Sequence, residues 1–132
     1  MALEDTTTSW APRALSILRI VTALLFLEHG TQKLLGFPAS EMHPALVSMF
    51  GLAGLIEIVG GILLLIGLFS RLTAFICAGE MAVAYFMAHA PKSPFPAING
   101  GDAAILFCFV FLYLVFAGPG LWSVDAAMRS RR

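Results

Sequence analysis

The stretch Gly51-Leu52-Ala53-Gly54-Leu55-Ile56-Glu57-Ile58-Val59-Gly60-Gly61-Ile62-Leu63-Leu64-Leu65-Ile66-Gly67 carries a single ionisable side chain in an otherwise apolar run. With its flanks it predicts a helix over about 44–69, and about 20 such residues suffice to cross the hydrocarbon of a bilayer. Glu57 costs several kcal/mol in that position unless it is paired or hydrated. Gly54 and Gly61 share its face, and small residues let a neighbouring helix approach closely, so that face is expected to point into a bundle.

Three further segments of this kind flank it. Upstream, a helix is expected over about 12–35, with Pro12 suited to a first turn, Ser9 placed to cap it, and Gly36-Phe37-Pro38-Ala39-Ser40 ending it. Downstream, the brief turn Ser70-Arg71 leads into a third helix over about 71–90, which stops before Pro91. The segment Pro91–Gly101 has three prolines and cannot be helical throughout. A fourth helix is expected over about 101–117, closed by Gly118-Pro119-Gly120, and Ser123 is placed to cap a short interfacial helix over about 123–130. Short loops and an even helix count predict one all-α domain over residues 1–132, an integral membrane four-helix bundle running up-down-up-down.

Composition agrees. Of the 132 residues 59% are hydrophobic and only 12% are charged, against roughly 25% charged in soluble domains. A mean hydropathy of +0.89 is more apolar surface than so small a chain can hide inside itself, so the lipid bilayer is the expected partner of most of the exterior. A net charge of zero gives no electrostatic case for nucleic acid. Cys77 and Cys108 lie in different apolar runs without a Cys-x-x-Cys pattern, so no disulfide and no metal site is expected. Met1–Ala11 is polar and carries Glu4 and Asp5, unlike a cleaved secretory leader, and the first helix is expected to be retained.

Arg13, Arg71, Arg129, Arg131 and Arg132 fall at one end of the expected bundle, and only Lys33 and Lys92 at the other. The positive-inside rule then puts both termini in the cytoplasm, with Trp10 and Trp122 at that interface.

Two polar layers remain inside the spans. At 1.5 Å per residue Arg19 lies roughly 9 Å in from the cytoplasmic end, and Glu57 and Glu80 each roughly 13 Å in, which predicts an internal ion cluster or a carboxyl that keeps its proton. The second layer lies near the opposite end and holds His29, Lys33, His89, Asn99 and Asp102. Glu28 falls opposite Arg19 and reads as an interfacial charge, while Asp102, Phe109 and Tyr113 form a stripe expected to face inward. His89 follows Glu80 by nine positions, half a turn out of phase, so an undistorted helix cannot point both inward. Each group also has a plainer role: a lock on helix pairing for the first layer, a cap for Asn99 and Asp102, a rim position for the histidines, snorkelling for Lys33. Together the layers predict a polar internal cavity open outward.

The ordered set Arg19, His29-Gly30, Lys33-Leu34, Glu57-Ile58-Val59-Gly60-Gly61, Gly67, His89, Asn99-Gly100-Gly101-Asp102-Ala103 and Gly118-Pro119-Gly120 before Ser123 and Asp125 resembles the DoxX family of small bacterial membrane proteins. Asp102 stands where that family is expected to prefer glutamate. The resemblance implies a multi-pass protein of the bacterial inner membrane tied to redox metabolism, similar to a small subunit of an archaeal thiosulfate:quinone oxidoreductase. On that basis Arg19, His29, Lys33, Glu57, Glu80, His89, Asn99, Asp102 and Tyr113 are the candidate residues for a quinone site, fed with electrons by a protein partner because the chain has no flavin or nucleotide fingerprint. Haem held by His29 and His89 is a variant of the same idea. A non-enzymatic assembly subunit, working with a partner or as a homo-oligomer, and a small proton-coupled transporter are the alternatives. A topology reporter fused after Lys92 is expected to be active only on the extracytoplasmic side; cytoplasmic activity would reverse the assignment.

Overall fold

The computed structural model describes every residue except 42–45, so Pro44, where the second helix is expected to begin, lies outside the described residues. All regular structure among the described residues is helical. Helix α1 spans Ala2–Leu35, α2 Met49–Ile66 and α3 Ser70–Ala84; a one-turn α4 at Pro96–Asn99 leads into α5, Asp102–Ala117, and α6 is Val124–Arg129. The third span continues from α3 through a π-helical turn, Tyr85–His89, and a 3-10 turn, Ala90–Lys92.

Helix α1 differs from its sequence-based expectation at its start. Pro12 sits within the helix and Ser9 does not cap it; the Ser9 hydroxyl instead donates to the carbonyl of Thr6. The polar N-terminal turns carry Glu4 and Asp5 at the positive end of the helix dipole, and these extend the helix past the proline at the cost of one backbone hydrogen bond. Helix α2 begins where the Ser48 hydroxyl accepts from the Gly51 N–H, and α6 where Ser123 does the same for Ala126.

Consecutive spans run antiparallel. Arg19 of α1 meets Leu64 of α2 while Lys33 meets Glu57, and in α3 and α5 Arg71 reaches Val115 while a side chain added at Gly101 would strike Tyr85. The α1–α2 seam is set by absent side chains: a Cβ at Gly30 would lie 2.9 Å from the Glu57 Cβ, and one at Gly61 would lie 3.0 Å from the Leu27 Cβ. Around that seam Phe26 packs edge-on against Phe111 at 4.8 Å, with Ala23, Leu64, Ala74, Cys77 and Leu114 completing the core. Large apolar side chains such as Val59, Ile62, Phe75 and Phe116 cover the outside. Exposed apolar surface all round a helical bundle requires lipid as the solvent.

Arg19 corrects a second expectation. It is 1% exposed and meets neither glutamate; its guanidinium donates to the carbonyls of Leu64, Pro119 and Trp122. Leu64 belongs to the last turn of α2, whose carbonyls lack helical partners, and Pro119 and Trp122 follow α5. Arg19 therefore ties the end of α2 and the segment after α5 into one knot. Glu57 lies seven residues before Leu64 on α2, about 10 Å deeper. The depth counted from Pro12 failed because α1 extends beyond it and the glycine seam sets the register.

Other charges close the same end of the bundle. Arg71 donates to the Val115 and Phe116 carbonyls at the end of α5. Asp125 accepts from the Phe69 and Ser70 N–H groups at the start of α3, where Phe69 holds a left-handed backbone at φ 50°. Partial burial pushes the Asp125 carboxyl up, but those N–H donors and nearby Arg129 outweigh it and hold the group below its usual range. Replacing Arg19 by Met leaves three buried carbonyls without their donor, and a loss of about 3 kcal/mol or more is expected. Unfolding in a denaturing detergent titration measures it; an unchanged midpoint would remove Arg19 from its structural role.

Candidate functional site

A cavity of about 510 Å³ opens at the end of the bundle opposite Arg19. Its polar floor is made by Lys33 from α1, Glu57 from α2 and Glu80 from α3. Lys33 Nζ donates to Glu57 Oε1 at 2.6 Å, and Glu57 is fully buried while the lysine is 19% exposed. The pair forms because Gly30 and Gly54 bring α1 against α2 at this level, leaving the lysine stem lying over Gly54. Glu80 stands near enough to Glu57 for the two carboxyls to interact electrostatically. Two acidic groups therefore lie beside one ammonium, which pairs with Glu57, in a pocket whose walls, Ile56, Met81, Ala84 and Phe107 among them, are apolar.

The mouth carries His29, Gln32 and Lys92, and the lateral rim between α2 and α3 carries Met49, Leu52, Val83 and Met87, each more than half exposed. That rim faces the bilayer, so an apolar ligand has a route from lipid to the floor. His29 meets the Phe107 ring edge-on at 5.9 Å.

His89 reaches the same cavity as Glu80, which a regular helix forbids. The π turn at Tyr85–His89 takes up an extra residue and so reduces the rotation between the two positions, and both side chains line the cavity from one span. The ring is then fixed: its Nδ1 lies 3.0 Å from the Asn99 carbonyl, and the ring stacks on Tyr85. Asn99 is buried, but its side chain serves the loop, donating to Tyr85 Oη and the Ser93 carbonyl and accepting from the Gly101 N–H.

Of the nine residues singled out from the sequence, His29, Lys33, Glu57, Glu80 and His89 line the cavity. Asn99 supports it from behind, and Arg19 belongs to the opposite end of the bundle. Asp102 and Tyr113 face outward with Phe109, correcting the expected inward stripe. The inner face of α5 is instead Ala104, Phe107, Phe111 and Leu114. This helix is apolar on every side, so the single acid at its start was a poor guide: Asp102 sits in the first turn, where exposure and the helix dipole both favour a carboxylate. Gln32 and Phe107 were missed; Phe107 carries no polar atom, and the spacing of Gln32 one residue before Lys33 was the available signal.

The fold and this site define a helical, multi-pass membrane protein with a charged, laterally accessible cavity. The sequence profile of the DoxX family matches residues 14–90, and the chain belongs to that family. It is 45% identical over 126 residues to an uncharacterized protein of Haemophilus influenzae, covering 88% of this chain and 91% of that one. It is also 25% identical to the inner membrane protein YqjF of Escherichia coli, over 87% and 92% of the two chains. A membrane protein of Mycobacterium tuberculosis, Rv3486, is 27% identical over 91% of this chain and 84% of its own. Among solved structures none matches. The chain is thus a multi-pass protein of the bacterial cytoplasmic membrane.

The floor pair makes a testable energetic statement. Lys33→Met is expected to destabilise by about 3 kcal/mol, because Glu57 is left buried without its partner, while Lys33→Met combined with Glu57→Leu recovers most of that loss. A double-mutant cycle by denaturant unfolding checks it; additive losses would show that the pair does not interact.

Proposed function

We propose that the cavity holds the head group of a membrane-dissolved quinone, and that the protein is the membrane subunit of a redox complex whose partner supplies the electrons. The observation that carries this reading is the Lys33–Glu57 pair on the floor of an otherwise apolar cavity. The chemistry of the residues suits such a ligand. Lys33 and His29 bring N–H donors for ring oxygens, Phe107 a flat apolar neighbour for the ring, and the rim between α2 and α3 a path for a prenyl tail. Glu57 and Glu80 lie where a proton would be held beside the ring.

Haem is the less favoured occupant. His89 is oriented by Asn99 and Tyr85, and His29 sits at the mouth beside Phe107, an arrangement supported better as rim and anchor than as two ligands of one iron. The alternative of a non-enzymatic assembly subunit has the Arg19 knot in its favour, since that knot fixes the helix ends without serving the cavity.

Mass spectrometry of an organic extract from gently purified protein is expected to find quinone at close to one per chain, and less than a third of that after Lys33→Met. An extract holding only phospholipid would sink the quinone reading and favour the assembly subunit; a Soret band in the purified protein would move the assignment to haem.

A further inference from the structure

The floor of the cavity has more hydrogen-bond acceptors than donors. Lys33 serves Glu57 Oε1. Glu57 Oε2 and both oxygens of Glu80 are buried with no hydrogen-bond donor among the described residues, and the two carboxyls lie within reach of each other. A proton shared between the two carboxyls bridges Glu57 Oε2 and one Glu80 oxygen and leaves the other Glu80 oxygen unmatched, and the apolar walls beside it offer no donor.

His89 adds a further acceptor. Its Nδ1 faces the Asn99 carbonyl, which can only accept, so the hydrogen of the neutral ring is on Nδ1. Nε2 of that ring then carries a lone pair, on a side chain that lines the cavity. The Asn99 side chain, which has N–H groups to give, spends them on Tyr85 and Ser93 instead.

A buried acceptor without a donor is unfavourable, and a ligand that brings donors relieves it. The two redox forms of a quinone differ in this respect. The oxidised form presents two carbonyl oxygens, which are further acceptors and compete for the remaining hydrogens of Lys33. The reduced form presents two phenolic hydroxyls, which donate and still accept. We infer, building on the quinone reading above, that the cavity selects the hydrogen-bond-donating quinol over the quinone, with the Glu80 carboxyl and His89 Nε2 as the selecting groups. The inference concerns binding alone and requires no transfer of electrons within this chain.

The test uses the full chain in lipid nanodiscs under anaerobic conditions, titrated with a short-tailed benzoquinone and a short-tailed naphthoquinone, each in both redox states. For whichever ring binds, the quinol is expected to bind about tenfold or more tightly than its quinone. Glu80→Gln replaces an acceptor oxygen by an N–H donor, and it is expected to bring the two affinities to within about threefold by weakening the quinol and strengthening the quinone. The ratio is taken within one preparation, so partial misfolding cannot imitate it, and the unsubstituted chain decides the matter if the variant does not fold. Equal affinities, or a tighter quinone, would overturn the selectivity while leaving the quinone site standing. Binding of neither form of either ring would overturn both.

Discussion

The guanidinium of Arg19 satisfies backbone carbonyls from two separate segments, at the end of α2 and after α5. In lipid those carbonyls have no water to turn to, so a helix end inside the membrane boundary must find a donor within the protein. One planar group with five hydrogens, held on the rigid α1, supplies it. The segment after α5 is thereby folded back over the bundle, which lets Asp125 reach the start of α3 and puts Ser123 against Gly67. Remove the knot and the helix ends that define this face lose their common anchor.

With one end closed by backbone hydrogen bonds, the other end is free to hold unsatisfied groups. The polar atoms there meet side chains and an open volume, and three carboxyl oxygens have no hydrogen-bond donor among the described residues. Such groups are tolerated only where the surrounding structure is stable enough to carry them, and sites that bind or react are where proteins keep them. The seam through Gly30, Gly54 and Gly61 runs between the two ends, so the register that seats Arg19 on Leu64 also sets Lys33 on Glu57.

Several elements could be read before any coordinates. Runs of about twenty apolar residues broken by Gly-Pro and Pro-rich segments identify membrane spans, because lipid admits few backbone conformations. Glu57 between Gly54 and Gly61 points inward for a local reason, since small residues and a charge on one face both exclude lipid from it. The residues that misled did so for equally definite reasons. Arg19 was expected to seek carboxylates, but its partners are backbone carbonyls, which every residue has and no sequence pattern marks. Tyr113 and Asp102 were placed on an inner face of α5, a helix with no polar side to orient it. His89 was legible as a conflict with Glu80 and not as its solution, because a π turn leaves no signature in the residues that form it.

The sequence by itself determined that this chain is helical, spans a membrane and carries charges it must shelter, because hydrophobic length and the cost of a charge in hydrocarbon are properties of the residues alone. Which charge meets which partner was decided only by tertiary structure. That choice depends on the register between helices and on one altered turn, and both are set by how closely backbones approach, a quantity the linear order of side chains does not contain.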